Sequence, residues 1–445
     1  MKKEKKNGET PAAKKGGESK EHKKNWKEYT AMVNDIEQFL SDHVVLRRNV
    51  IAGRVECRIP KSDVFADWIA DGLPTDQWLS VSDYIVNTLW RALSRQKKVK
   101  ADDIRRIIDS DFSPSYNPFT YYLEHLPPWN GVDDYILELS LSVNVSGGVD
   151  AQMLFAECLR KWLVAMVAGW VDPKAVNHEI LILIGAQGSY KTTWFDHLLP
   201  PELHTYFRIK TNAARLTKDD LIVLSQYGLV CCEELDTMRP SELNQLKSAV
   251  TMPSIDERKP YGHYTERMPH IASFCGTGNN TQFLTDTTGN RRWLPFEVAS
   301  ILSPRDHPFN YEGIYAQAYA LYKQGFQYWF TQQDSVKLAE HNRQFETPRL
   351  ENELVQLYFR KPVGREPGEF MPVSLALQVV GAGITQKLSA VSLGRAFVEM
   401  GFQRKTIRNV RGYVVVRRSD EERRSLCQAM AAGPDDTDTD VTDVL

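Results

Sequence analysis

Three short apolar runs in the middle of the chain end in polar or glycine-rich segments, with stretches of helical periodicity between them. The runs are Ile180–Ile184, Leu229–Cys232 and residues 271–275. Continuously apolar strands that alternate with helices predict a mainly parallel sheet covered on both faces, which is an α/β fold. Ligands of such sheets bind beyond the carboxyl ends of the strands. We therefore expect the chemistry in a core of about residues 132–308.

Weaker patterns on both sides of this core predict smaller domains. Residues 29–131 predict a small mixed, mostly helical domain, and residues 309–361 predict a helical extension. The expected elements of the first domain are strands at 44–50 and 54–59 and helices at 80–93 and 100–108. In residues 362–420, the order of helix, helix and strand pair is similar to a winged helix. Ser392 is the expected cap of its second helix.

The formal net charge of −2 conceals a segregated charge distribution. Residues 1–28 are basic, with nine Lys against four Glu up to Lys24, and residues 421–445 are acidic. Both ends are expected to be disordered, because they have too few apolar residues to form a core. The basic end is either a non-specific nucleic-acid arm or a solubilising tail, and the pattern favours neither.

Composition narrows the class of protein. No apolar run approaches the roughly 18 residues of a membrane helix, and the Lys-rich start lacks the apolar segment of a secretory signal. The six Cys residues form no C-x-x-C pair, which argues against a zinc site and favours free thiols in a reducing compartment. We expect a cytoplasmic protein with no membrane contact.

The first apolar run leads into a glycine loop with the layout of a phosphate-binding P-loop. The residues expected to contact a nucleotide are Gly185, Ala186, Gln187, Gly188, Ser189, Tyr190, Lys191, Thr192 and Thr193. Backbone amides would face the phosphates, Lys191 would add positive charge, and Thr192 would hold Mg²⁺. Tyr190 departs from the pattern, which has Gly before the Lys. The alternative interpretation is a turn with an incidental Lys.

Polar residues beside the later strands complete a predicted ATP site. Glu233 and Glu234 follow the second run, where one carboxylate would hold Mg²⁺ and the next would activate water. Asn279 follows the third run and would sense the γ-phosphate. Arg291 or Arg292 would reach the γ-phosphate of a neighbouring subunit. Each piece alone is commonly a solvated surface group, but their order favours an ATPase that uses ATP and Mg²⁺.

These residues also carry a resemblance to the virulence-associated E (VirE/VapE) family, in the branch of Bacteroides-type bacteria. The matching strings are 177–179, 185–194, 219–220, 234–236, 246–247, 257–258, 261–262 and 287–296. The family resembles superfamily 3 helicases, so the resemblance implies an AAA+-like P-loop core that forms rings on DNA. It also implies that residues 29–131 act as a helical collar. In that branch Asp usually stands at the position of Glu233.

Two basic segments are the candidates for DNA contact. An insert between Met252 and His270 corresponds, by the resemblance, to a hairpin that grips DNA inside the ring. Its candidate residues are Arg258, Lys259, His263 and Arg267. The basic end of the winged-helix-like segment adds Arg404, Lys405 and Arg408. Ordinary surface charge and a protein-docking role remain alternatives for both segments.

Three functions remain compatible with the sequence. The leading hypothesis is an ATP-dependent DNA helicase or translocase of phage or mobile-element replication. It would act as a ring, expected to be hexameric, and a separate primase is a possible partner. The second hypothesis is a regulatory ATPase switch in phage interference or defence, which assembles without unwinding. The third is a non-enzymatic DNA-binding loader with a decayed P-loop.

Overall fold

The computed structural model describes residues 30–60, 62–72, 75–210, 218–257, 264–284, 290–382, 384 and 388–431. The chain divides into two compact units. One comprises Met1–Thr281 with Thr288–Arg343, and the other comprises Gln282–Thr287 with Gln344–Leu445. The division falls within the segment expected to be a helical extension. Within the described residues, no helix combines the length and the apolarity needed to cross a bilayer.

The first part of unit one mixes short strands with helices. Its described elements are α1 (Val33–His43), β1 (Val45–Asn49), β2 (Arg54–Arg58), α2 (Ala66–Ala70), β3 (Leu79–Ser80), α3 (Asp83–Ser94), α4 (Ala101–Ile108), β4 (Ser115–Tyr116) and α5 (Pro118–Glu124). The sheet order is β3-β2-β1-β4, with β1 antiparallel to β2 and parallel to β4. The two strands and two helices expected here occur close to their predicted positions.

The larger part of unit one alternates strands and helices. Its described elements are α6 (Tyr135–Leu141), β5 (Val143–Val145), α7 (Gly148–Val171), β6 (Ile180–Ile184), α8 (Lys191–Asp196), β7 (Phe207–Lys210), α9 (Lys218–Gln226), β8 (Leu229–Cys232), α10 (Pro240–Val250), β9 (Ser254–Glu257), β10 (Glu266–Pro269), β11 (Ser273–Gly278), β12 (Trp293–Ile301), α11 (Tyr311–Lys323) and α12 (Gln332–Asn342).

A six-stranded sheet organises this part, in the order β5-β12-β6-β11-β8-β7. The five strands from β12 to β7 are parallel, and only β5 at the edge is antiparallel to its neighbour. All five residues of β6 are buried, as expected for a strand covered on both faces. The predicted α/β character and the mainly parallel sheet are confirmed. β9 and β10 form a separate antiparallel pair.

The central helix α7 fastens the sheet to the core. It contributes Trp162 and Trp170, which are buried, and each large apolar side chain of this kind stabilises the fold by about 1.5–3 kcal/mol. Trp162 also donates its indole N–H to the carbonyl oxygens of Glu179 and Phe274, at 3.2 and 3.1 Å. The beginning of β6 is therefore held in a fixed position relative to β11.

Unit two contains the elements of the winged-helix-like pattern. Its described elements are α13 (Leu350–Tyr358), β13 (Phe359–Arg360), β14 (Glu369–Pro372), α14 (Val373–Gly381), α15 (Ala390–Glu399), β15 (Arg404–Ile407), β16 (Val410–Arg417) and α16 (Asp420–Ala431). The strand β16 pairs with β13, β14 and β15. Arg408 and Asn409 connect β15 and β16 with φ of 48° and 66°, the conformation of a tight two-residue hairpin.

Two expectations for this unit are corrected. The cap of α15 is Ser389, whose hydroxyl accepts from the backbone N–H of Ser392, so Ser392 lies inside the helix. The acidic tail was expected to be disordered from residue 421, but helix α16 extends to Ala431. Ser419 and Glu422 cap that helix reciprocally, which the acidic composition of the tail concealed.

Candidate active site

The glycine loop connects the end of β6 to the beginning of α8. Gly188 has a φ of 83°, a left-handed conformation that glycine adopts without steric cost. Gly185 lies so close to β12 that a Cβ would be 2.9 Å from the carbonyl oxygen of Val298. These two glycines allow the loop to turn sharply at the carboxyl end of β6 and to present its backbone amides.

Tyr190 occupies the position where the P-loop pattern has Gly. Its φ of 61° is left-handed, which costs a side-chain-bearing residue about 1–2 kcal/mol. Its carbonyl oxygen accepts the N–H of Trp194 at 2.8 Å, the first intrahelical bond of α8. The loop therefore retains the backbone conformation of a glycine at this position, and the tyrosine side chain is 46% exposed.

Lys191 is folded into the loop that precedes it. Its ammonium group donates to oxygens of Gly185, Ala186, Ser189 and Asn279, at 2.8, 2.7, 3.2 and 3.4 Å. Burial lowers the pKa of Lys191, and the carboxylate of Asp236 opposes this shift. An ammonium group held at the centre of a ring of loop oxygens is positioned to exchange some of those contacts for phosphate oxygens.

The acidic pair follows β8 on the same edge of the sheet. The Thr192 hydroxyl donates to Oε1 of Glu233 at 3.0 Å, and Glu234 adopts a left-handed φ of 53°. Among the described residues, no cluster of three or more His, Cys, Asp or Glu side chains could hold a metal. A hydroxyl and one carboxylate do fit Mg²⁺, which keeps several waters and takes its remaining ligands from phosphates.

Asp236 is a third carboxylate near the site, and the sequence reasoning gave it no role. Its Oδ2 accepts the backbone N–H of Asn280 at 3.0 Å, while its buried Oδ1 has no hydrogen-bond partner among the described residues. It connects the turn after β8 to the segment after β11. The signal in the sequence was its spacing, two residues after the acidic pair.

These groups line one cleft of about 390 Å³ at the carboxyl edge of the sheet, which we call the P-loop cleft. Its lining residues are Gln187, Gly188, Ser189, Tyr190, Lys191, Thr192, Thr193, Glu233, Glu234, Thr277 and Asn279. Five residues expected to do chemistry therefore meet in one place, although three different strands carry them there. They are Lys191, Thr192, Glu233, Glu234 and Asn279.

Arg291 and Arg292 do not belong to this cleft. They precede β12, and Trp293 pairs with Ile180 at the beginning of β6, whereas the P-loop follows Ile184 at its end. Four residue steps of ~3.3 Å place the arginines about 13 Å along the sheet from the P-loop edge. This pair therefore precedes its strand and lies at the amino edge of the sheet, whereas the other motifs follow theirs.

At the amino edge the two arginines line a second cleft, of about 570 Å³, which we call the arginine cleft. Its other lining residues are Ala165, Lys174, Ala175, Val176, His178, Glu179, Thr251, Tyr328, Trp329, Phe330 and Ser335. Within the described part of the chain, neither guanidinium forms an ion pair or a hydrogen bond. The sequence did not predict this cleft, because the order of residues does not show whether a motif beside a strand lies at the amino or the carboxyl edge of the sheet.

The candidate DNA-contacting residues are distributed between the two units. Arg258, Lys259 and His263 lie outside the described residues. Arg267 is exposed on β10 and donates to the Ser254 hydroxyl at 3.0 Å. In unit two, β15 and its turn carry Arg404, Lys405 and Arg408, all exposed.

Comparison with known proteins identifies the domain that contains the two clefts. Residues 134–347 match the model of the virulence-associated protein E-like domain, a range that includes both clefts. Residues 134–347 therefore form a domain of the virulence-associated E type, which confirms the resemblance that the motifs carry. No curated protein matches the sequence significantly.

Three solved structures match the chain at low identity and with TM-scores below 0.5. An apo structure of the NrS-1 C-terminal region is 12% identical, with a TM-score of 0.47, and covers 86% of this chain and 98% of that one. A second apo structure of the same region has a TM-score of 0.45. A mutant of Thermotoga maritima RuvB is 11% identical, with a TM-score of 0.22, over 60% of this chain and 94% of that one.

Proposed function

We propose that this protein is an ATP-dependent DNA helicase- or translocase-like ATPase of phage or mobile-element replication, and that it acts as a ring oligomer. One observation carries the ATPase assignment. The P-loop cleft brings a buried lysine, a hydroxyl, two carboxylates and an amide together at the carboxyl edge of a parallel sheet. That combination of groups suits hydrolysis of a nucleoside triphosphate.

Each side chain of the cleft has a distinct task in this proposal. Lys191 balances the charge of the β- and γ-phosphates, and Asn279, already within 3.4 Å of its ammonium group, contacts the γ-phosphate. Thr192 and Glu233 hold Mg²⁺, which neutralises charge that develops on the phosphate oxygens. Glu234 accepts the proton of the attacking water.

The position of the arginines supports the proposed ring. Arg291 and Arg292 lie at the edge of the sheet opposite to their own P-loop, so they serve a γ-phosphate only when a second copy presents it. A head-to-tail arrangement, in which each copy offers its P-loop cleft to the next copy's arginines, forms a ring when the rotation between successive copies closes. Such an arginine typically accelerates phosphoryl transfer by about 10³–10⁵.

The deciding experiment is ATP hydrolysis by the wild type and by Lys191→Ala, each with and without single-stranded DNA. Lys323→Ala, which changes an exposed lysine of helix α11, is the matched control. We expect DNA to stimulate turnover by the wild type and the control, and Lys191→Ala to be inactive. If Lys191→Ala hydrolysed ATP at the wild-type rate, the P-loop assignment would be wrong. No turnover by the wild type would favour a DNA-binding loader.

Tyr190 supports a second candidate, a regulatory ATPase switch. A residue strained into the left-handed region beside the catalytic lysine stores free energy that nucleotide binding could release in a conformational change. The same assay separates the candidates. Slow turnover that single-stranded DNA does not alter, combined with ATP-dependent assembly, would identify the switch.

A further inference from the structure

The tripeptide Asn177-His178-Glu179 is part of the family resemblance and has no task in the proposed mechanism. The structure places it where β6 begins. Asn177 is buried, and its amide donates to the Trp162 carbonyl oxygen at 3.0 Å and to the Ser273 hydroxyl at 3.1 Å. Its amide oxygen accepts the N–H of Glu179 at 3.4 Å. The backbone of the tripeptide is thereby fixed, and Glu179 lines the arginine cleft.

The arginine cleft has an excess of positive charge. Its charged and titratable lining groups are Lys174, His178, Glu179, Arg291, Arg292 and Tyr328. Among the described lining residues, three permanent cations therefore share the cleft with one carboxyl group. Because the two guanidinium groups have no ion-pair partner in the described part of the chain, the cleft is ready to receive an anion from outside.

The P-loop cleft, in contrast, has little positive charge. Lys191 is the only cation among its lining residues, alongside the carboxylates of Glu233 and Glu234. A bound triphosphate would add several negative charges that one lysine and one Mg²⁺ would not fully balance. Each copy of the chain therefore has a cleft that lacks cations at one edge of the sheet and a cleft with surplus cations at the other.

We propose that Glu179, which lines the arginine cleft, regulates the contact between copies: while its carboxyl group is ionised, it opposes docking of a second copy's ATP phosphate beside Arg291 and Arg292. This inference rests on the proposed function. A carboxylate beside an incoming phosphate is a like-charge pair, whereas the neutral acid adds no such repulsion. Glu179 is a positioning residue in this account, because it acts through the charge balance of the arginines.

The pKa of Glu179 lies near neutral pH. Burial raises its pKa to about 7, while the backbone amide of His178 and the two arginines oppose the shift. An incoming phosphate raises the pKa further, so docking takes up a proton. Docking is therefore strongest below pH 7 and weakens as pH rises. At pH 8 Glu179 must take up a proton before docking, which weakens docking by up to about tenfold compared with a side chain at position 179 that does not ionise.

Nucleotide-dependent assembly tests the proposal. Sedimentation velocity with a saturating non-hydrolysable ATP analogue, between pH 7 and 8.5, gives the protein concentration at half-assembly for the wild type and Glu179→Gln. His178 does not interfere in this range, because burial and the neighbouring arginines lower its pKa below the usual value. The His178→Gln variant tests whether His178 contributes to the pH dependence. The Arg291→Ala, Arg292→Ala double variant removes the guanidinium groups that would bind the phosphate.

We expect wild-type assembly to weaken with rising pH, and Glu179→Gln to assemble with little pH dependence and up to about tenfold more tightly at pH 8. A gain of assembly does not result from misfolding. Equal pH slopes for the two proteins would overturn the inference, as would assembly that the double variant leaves intact. So would a loss of DNA binding, rather than of assembly, in the double variant, since the cleft would then serve nucleic acid.

Binding of a fluorescent ATP analogue to dilute, unassembled protein is measured first, at every pH. If the wild type does not bind it, the proposed function fails, and the inference that rests on it is overturned as well. If the wild type binds the analogue at every pH but never assembles, the ATP site stands and the trans docking is overturned.

Discussion

The two edges of the parallel sheet differ in how their polar groups are satisfied. At the carboxyl edge, Lys191 donates to oxygens of its own loop and Thr192 donates to Glu233, so the P-loop cleft is connected internally. At the amino edge, Arg291 and Arg292 have no such partner within the described residues. An edge that leaves two guanidinium groups free is complete only with an anion from elsewhere. This difference between the two edges is the observation behind the proposed ring.

Mixing two inactive variants tests this comparison most severely. Lys191→Ala retains the arginines, whereas the Arg291→Ala, Arg292→Ala double variant retains the P-loop. We expect each alone to lose ATP turnover by about 10³ or more. When the two are mixed, roughly a quarter of the interfaces in a head-to-tail ring would join a working P-loop to working arginines. ATPase activity should therefore reappear in the mixture.

The measurement is ATP turnover as a function of the mixing ratio at fixed total protein. The turnover of each variant alone, with no wild-type protein added, is the background. If activity never exceeds the sum of the separate variants at any ratio, although both assemble, the arginines do not act across an interface. The contrast between the two edges would then have no catalytic meaning.

Glu234→Gln should separate binding from chemistry within the carboxyl edge. The amide keeps the shape of the side chain but cannot accept a proton from water, so turnover should fall by about 10²–10⁴. Affinity for the ATP analogue should remain close to that of the wild type. The matched control is Glu340→Gln, an exposed carboxyl of α12. Glu234 would lose its assignment as the base if this variant kept more than a tenth of the wild-type rate.

The sequence predicted the carboxyl edge better than the amino edge, for a physical reason. A glycine loop after an apolar run and carboxylates after the next run lie together because parallel strands share their carboxyl ends, so Lys191 and Glu233 could be joined in advance. Arg291 and Arg292 precede their strand. A position beside a strand does not by itself show at which edge of the sheet the residue lies. The spacing of Asp236 after the acidic pair places it near the site, but its bond to the backbone of Asn280 and the contacts of the tripeptide at 177–179 are tertiary and cannot be read from the sequence.

The basic hairpin of unit two offers a smaller effect. Replacing Arg404, Lys405 and Arg408 with Ala should weaken binding to DNA by about tenfold at moderate salt, if these exposed cations contact phosphates. Each lost phosphate contact should also reduce the slope of log affinity against log salt by about 0.7–0.9. Fluorescence anisotropy over a salt series measures both quantities. An unchanged salt slope would exclude phosphate contacts and favour a protein-docking role for the hairpin.

The smallest expected effect concerns Tyr190, whose backbone is strained at the carboxyl edge of the sheet. Because its φ is 61°, Tyr190→Gly should have a higher free energy of unfolding than Tyr190→Ala, by about 0.5–1 kcal/mol. The same pair of substitutions at Thr193, inside α8, should give the opposite order by a similar amount. Urea unfolding of the four variants measures both differences. If alanine were the more stable residue at both positions, residue 190 would not be held in the left-handed region. The strain that distinguishes a switch from a motor would then be absent, and the motor would be the better account of this P-loop.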